Sequence, residues 1–161
     1  MQDVTTLDAV KRVRAALLAA GHPDSIRTFP AGTRTAADAA AAAGCEVAQI
    51  AKSIVFAVQG GGAAVVIASG ANRVDRRLAG AALGVKLVVA APDFVLAQTG
   101  FAAGGVSPLG LPSGVLIALD EDLLALDPVW AAAGSASHVF RTQAETLRRM
   151  TGAVVVRVRA A

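Results

Sequence analysis

The residue pattern predicts an α/β (α+β) chain built on a mixed sheet packed with helices. Three observations lead there. Short runs rich in Val and Ile alternate with helical stripes. One pair of such runs is joined by Gly60-Gly61-Gly62, a hairpin signal, while others are separated by helix-length segments that read as crossovers. Hairpins and crossovers in one chain favour a mixed sheet over a regular doubly wound one.

Each element follows from local chemistry. Leu7, Val10, Val13, Leu17 and Leu18 fall on one helical stripe with Lys11, Arg12 and Arg14 turned outward, and Gly21 ends it. Ser25 to Phe29 alternates as a short strand. Thr33 or Thr35 then caps an alanine-rich helix that runs to Ala43 and stops at Gly44. Gln49 to Val58 and Ala63 to Ser69 are the two arms of the hairpin. Asp75 opens a helix through Leu83, Lys86 to Ala90 is a strand, and Pro92 starts a helix ending at Gly100. After a glycine-rich loop from Ala103 to Gly110 come a strand at Val115 to Leu119 and a helical turn or two from Asp120 to Leu126. Two further strands are expected at Val129 to Ala133 and Ser137 to Phe140. Thr142 with Glu145 three residues on has the form of a capping box, and Val154 to Val158 supplies the last strand.

With 161 residues the chain is expected to form a single domain over 1–161 around one core. Hydrophobic residues make up 55% and charged residues 17%, which excludes disorder; much of the apolar share is alanine, so Val, Leu and Ile must fill the core. No apolar run is long and uninterrupted enough for a membrane span, and the N-terminal segment is charged and amphipathic rather than a leader, so a cytoplasmic protein with no membrane partner is expected. One cysteine, Cys45, and two histidines, His22 and His138, cannot assemble an ordinary structural zinc site, and no cofactor is expected. The net charge of +3 suits an anionic partner only weakly. DNA binding lacks a helix-turn-helix signal, and with 4% aromatics and no Tyr there is little to stack single-stranded bases on.

Two features can carry chemistry. Lys52 lies in the apolar strand Ile50-Ala51-Lys52-Ser53-Ile54-Val55-Phe56, where a period of two gives it the face of Ile50, Ile54 and Phe56. That face is expected to be the buried one, so the ammonium must meet an anion or lose its proton. The alternative is an edge-strand lysine reaching water. The second feature is Gly104-Gly105-Val106-Ser107-Pro108-Leu109-Gly110, whose adjacent glycines let bare amides face a carbonyl oxygen or a phosphate; the plainer reading is a tight turn. Neither a P-loop nor a dinucleotide fingerprint is present.

Taken in this order and at these separations, Gln49 to Phe56, Gly104 to Gly110 and Gly134 to Thr142 resemble the YbaK/EbsC family. That family comprises aminoacyl-tRNA deacylases related to the editing domain inserted in prolyl-tRNA synthetases. The resemblance spans about Ile26 to Val158. It implies a mixed, largely antiparallel sheet surrounded by helices. It also implies hydrolysis of mischarged aminoacyl-tRNA, commonly a proline tRNA bearing Ala, Cys or a similar small residue, with prolyl-tRNA synthetase as a possible second partner. Lys52 matches the lysine needed for activity, and Gly104 with Pro108 matches the Gly-x-x-x-Pro loop, in which amides of Gly104, Gly105 or Val106 would stabilise the oxyanion. Ile50, Val106, Ser107 and Pro108 would shape the substrate pocket. Ser107 has no base within its motif, so a directed water is preferred to a covalent intermediate. The segment holding His138 lines the amino-acid pocket in relatives, leaving that residue as a pocket donor or an ordinary half-exposed strand histidine. Some relatives carry an acidic residue near Val139; its absence here argues against a cysteine-specific enzyme. Phe29 stands where some relatives have tyrosine, so it packs on the substrate or in the core. The clusters Arg73, Arg76, Arg77 and Lys11, Arg12, Arg14 read first as solvated faces and second as tRNA-backbone contacts. A non-catalytic module that binds a tRNA acceptor end or a synthetase is the competing function.

Overall fold

The computed structural model describes the backbone of residues 4–160 and the side chains of residues 8–160. Helix α1 (Val4–Ala19) buries Val10, Val13 and Leu17 of the expected stripe together with Ala9, whereas Leu18 is exposed and the side chain of Leu7 lies outside the described residues. After β1 (Ile26–Thr28), Thr35 caps α2 (Ala36–Ala43) by accepting the Asp38 amide, and Gly44, at φ 71°, closes it in the left-handed conformation that a side chain disfavours. Strands β2 (Ile50–Val58) and β3 (Ala63–Ser69) form the hairpin, whose three turn glycines all have positive φ. Asp75 caps α3 (Arg76–Leu83) by accepting from Arg77 and Leu78 amides. Then follow β4 (Leu87–Val89), α4 (Pro92–Thr99) with Pro in its first turn, and β5 (Leu116–Asp120). The chain closes with β6 (Val129–Ser135), β7 (His138–Thr142), α5 (Ala144–Thr151) and β8 (Val154–Val156).

The eight strands make one mixed sheet in the order β1-β7-β6-β2-β3-β5-β8, with β4 also beside β2. Pairs β1–β7, β2–β3, β2–β4 and β6–β7 are antiparallel; β2–β6, β3–β5 and β5–β8 are parallel. One edge of β2 is divided between two partners. Strand β6 takes only Ile50 and Ala51, β4 takes Phe56 to Val58, and residues 52–55 between them have a ladder partner on the β3 side alone.

Both faces of the sheet are covered. On one, Ala51, Val55, Val65 and Ile67 pack with Val13 and Leu17 of α1 and with Phe101 and Val106. On the other, Ile50, Trp130 and Val139 pack under Ala39 and Ala40 of α2, while Phe56, Ala64, Val66 and Ala68 pack under Ala79 of α3. The expectation of a single buried face for β2 is therefore corrected. Lys52 is half-buried at the seam between the α2 and α3 clusters, in a central strand rather than an edge.

Two local expectations also change. Thr142 is paired with Val129 in the β6–β7 ladder, so it is extended and buried, and its hydroxyl bonds His22 Nε2 at 2.9 Å. It cannot also cap α5, which starts from Gln143 without a side-chain cap, and Glu145 pairs with Arg148 instead. The capping box lies elsewhere. Glu46 and Gln49 bond each other's amides around a 3-10 turn at Val47–Gln49, which delays the start of β2 to Ile50.

Candidate functional site

Beyond Ala51 and Ala131, where their ladder ends, β2 and β6 part, and a hollow of about 100 Å³ opens where they separate. Its lining brings together Ile50, Lys52 and Ser53 of β2, Trp130 of β6, Gly104 and Val106 of the glycine-rich loop, and Arg34 from the segment before α2. Lys52 and Gly104, separated by half a hundred residues in sequence, thus share one cavity. The volume corresponds to about three water molecules at ≈30 Å³ each, room for a small acyl group and little more.

The loop is shaped by close packing. Gly104 has φ 88°, and a Cβ placed on it would stand 3.3 Å from Arg34 Cγ, so only a bare backbone both turns here and lies under that side chain. At Gly105 a Cβ would fall 2.8 Å from both Cα and C of Ser135, so this residue presses against the end of β6. The Gly105 amide donates to Ala102 O at 3.0 Å, which removes it as a free donor. The amides of Gly104 and Val106 have no hydrogen-bond partner among the described residues.

Arg12 anchors the loop from outside. Its Nε donates to Gly110 O at 3.1 Å, its Nη2 to Thr99 O at 3.1 Å, and its guanidinium lies 4.3 Å from the Phe101 ring centroid. One side chain of α1 therefore holds both ends of the segment that carries Gly104 to Val106. Ser107 is fully buried and its Oγ accepts the Leu109 amide at 3.1 Å. Ser107 and Pro108, expected as substrate contacts, are both buried outside the hollow, where they build the turn.

Three polar side chains in the cavity lack partners among the described residues, exposed Arg34 being one. Ser53 Oγ is buried without a hydrogen bond, and Lys52 makes neither hydrogen bond nor ion pair among the described residues. A buried hydroxyl left unbonded is unfavourable by about 1–3 kcal/mol, which a ligand group able to bond it would relieve.

Of the two places expected for His138, it takes that of a half-exposed strand histidine. Val139 lines the hollow, while His138, on the other face of β7 with Phe140, does not. The His138 Nδ1 bonds Ser135 Oγ at 2.6 Å, and burial, then the charge of Arg14, holds its imidazole below the usual histidine range. Phe29 does not line the hollow either; it packs at 6.3 Å on Trp130, which does. Sequence reasoning missed Arg34, Ser53 and Trp130. The first two had no local signal, and the single Trp in an aromatic-poor chain was the one clue to the third. Among the described residues no cluster of His, Cys, Asp and Glu could hold a metal ion, and no helix is long and apolar enough to cross a membrane.

Comparison with known proteins places this geometry. The uncharacterized protein YwhH of Bacillus subtilis (strain 168) is 30% identical over 127 residues, 79% of this chain and 81% of that protein. A solved structure named as that of a candidate trans-editing enzyme for prolyl tRNA synthetase superposes with a TM-score of 0.87 at 41% identity, covering 95% of this chain and 98% of that one. The hypothetical protein APE2540 superposes at 0.85 with 28% identity, covering 91% and 98%. The family model described as an aminoacyl-tRNA editing domain matches residues 30–150, a span that contains β2, the glycine-rich loop and every lining residue named above. The mixed fold, the site-bearing segments and the matched span agree: the chain belongs to the YbaK-type aminoacyl-tRNA editing domain family.

Proposed function

We propose that this chain is a trans-acting aminoacyl-tRNA deacylase of the cytoplasm that removes a small wrong amino acid, such as Ala, Cys, Ser or Thr, from a proline tRNA. The observation that carries the reading is the shared cavity: half-buried Lys52 lines a space of about 100 Å³ together with Gly104 and Val106, whose amides are unbonded. Ester hydrolysis builds negative charge on the carbonyl oxygen. Amides fixed at Gly104 and Val106 suit that charge, and they are held by packing before substrate arrives. Water oxygen adds to the carbonyl carbon, the ribose oxygen leaves with a proton, and free amino acid and tRNA result. Lys52 pairs with the terminal phosphate or polarises the ester. Ser53 Oγ supplies a further bond to the substrate, and the small volume, backed by Ile50 and Trp130, disfavours larger side chains. Gly105 serves by close packing on Ser135 rather than by its amide, and Phe29 by supporting Trp130.

The reading is tested by incubating the protein with tRNA charged with Ala, Ser, Thr or Cys and following loss of the amino acid. Lys52→Ala is expected to lower the rate by about 10²-fold or more, the usual effect of removing one stabilising donor. Intact ester with every charged tRNA, alongside measurable tRNA binding, would replace the reading with a non-catalytic acceptor-end module. Prolyl-tRNA synthetase, as the source of mischarged substrate, is the proposed second partner.

A further inference from the structure

Lys52 lines a second hollow as well as the first. This one is a shallow, open groove of about 500 Å³ lined by Ile54 and Phe56 of β2, by Val74 and Val89, and by Lys52, Arg73 and Arg76. The two spaces adjoin. They share Lys52, and a Cβ on Gly70, which lines the second, would stand 2.9 Å from the Cβ of Ala36, which lines the first, so the two linings touch.

The chemistry of the second hollow is distinctive. Three cations line it and no carboxylate does, and neither Arg73 nor Arg76 has a hydrogen bond or ion pair among the described residues. Val89 is 73% exposed, the largest value among the exposed large hydrophobics, so an apolar surface lies open beside the charges. The arginines are presented by a rigid turn: Asn72 Nδ2 donates to Asp120 and Asp122 at 2.8 Å each, Asp120 itself is buried, and the Asp75 amide donates to Val158 O. Apolar side chains set among cations fit a chain that alternates flat faces with phosphodiesters, which is the pattern of an unpaired nucleotide strand.

We infer that this second hollow seats the unpaired nucleotides that precede the terminal adenosine of the tRNA, with Arg73 and Arg76 on their phosphates and Val89 against a base or ribose. The inference rests on the deacylase reading only in taking the first hollow as the seat of the ester. Lys52 then stands at the junction between the reacting end and the strand that leads to it.

The test separates the two ideas. Binding of the 5′-labelled ribotrinucleotide CCA is followed by fluorescence anisotropy over a range of salt, with no hydrolysis required. The Arg73→Ala/Arg76→Ala variant is expected to bind about tenfold more weakly, with a log–log salt slope shallower by about 1.4, roughly 0.7 per cation removed from a single-strand site. Val89→Glu, at an exposed position outside the core, is expected to weaken CCA without moving the melting temperature. Deacylation supplies the second arm: kcat/KM on charged tRNA falls in the double variant, while kcat/KM on 2′(3′)-aminoacyl-adenosine, which lacks the nucleotides assigned to the second hollow, is unchanged. Wild-type CCA affinity and slope in both variants would overturn the inference, as would an equal loss on tRNA and on aminoacyl-adenosine. Arginine-dependent CCA binding by a protein that hydrolyses no ester would sink the deacylase reading and leave the inference standing.

Discussion

Adding one methyl group at Gly105 puts the geometry of the loop under direct test. An ideal Cβ there meets Ser135 Cα and C at 2.8 Å and N at 3.0 Å, all backbone atoms at the end of β6. Restoring an ordinary carbon contact of 3.5–4.0 Å requires a retreat of about 0.7–1.2 Å by the loop or by the β6–β7 turn. At Ser135 strand β6 is held by β7 alone, through the pair with His138, so the loop, which carries Gly104 and Val106, takes up at least part of the movement. Overpacking of this size typically destabilises by about 1–3 kcal/mol, and a displacement near 1 Å at a catalytic site lowers rates by about 10²-fold. For a chain of this length the melting temperature should fall by about 2–4 °C per kcal/mol. Gly105→Ala is therefore expected to remain folded, to melt several degrees lower and to deacylate about 10²-fold more slowly. Gly104→Ala gives the contrast, because its Cβ meets only the flexible Arg34 side chain at 3.3 Å and its penalty comes from holding φ at 88°. A Gly105→Ala protein with wild-type melting temperature and wild-type rate would refute the claim that this loop is pressed against Ser135.

Two further outcomes follow from contacts outside the cavity. Arg12→Ala removes two hydrogen bonds and one cation–ring contact that tie α1 to both ends of the loop, and should lower stability in denaturant titration by about 2–3 kcal/mol after allowance for its partly exposed setting. Arg12→Lys should recover little, since one ammonium cannot bridge two carbonyls and cover a ring; a loss below about 0.5 kcal/mol for Arg12→Ala would show the latch to be unimportant. The depressed imidazole of His138 makes stability depend on pH with a definite sign. The unfolded chain takes up this proton first, so stability is complete above the ordinary histidine range and falls as pH drops through it toward the lower folded value. His138→Gln should flatten that acid-side decline in melting temperature, and an unchanged profile would mean that another group causes it.

What could be read from the residues alone was whatever depends on neighbours three or four positions away. Thr35, as one of two candidates, and Asp75 were legible as caps, Pro92 as a helix start, Gly44 and Gly100 as ends, and Gly60 to Gly62 as a hairpin turn, because each bond involved closes within a few residues. The same local logic failed at Thr142, where pairing with Val129 overrode a plausible cap.

The site divides along the same line. Lys52 and the bare glycines of the loop stood out by composition, a charge in an apolar strand and glycines side by side, and the family resemblance joined them. Their meeting in one cavity, however, depends on β6 leaving β2 after Ala51, which no run of residues announces. Arg34 and Ser53 acquire their places only from that separation. For His138 and Val139 the alternation of a strand says that one of them faces the hollow, but both faces of this sheet are buried, so hydrophobicity does not choose between them. Tertiary packing made that choice: α1 covers one face and α2 the other, and the hollow at the β2–β6 gap takes Val139 but not His138 into its lining. Local bonding thus wrote the elements into the sequence, while the chemistry of the cavity arose from which strands part and which helices cover them.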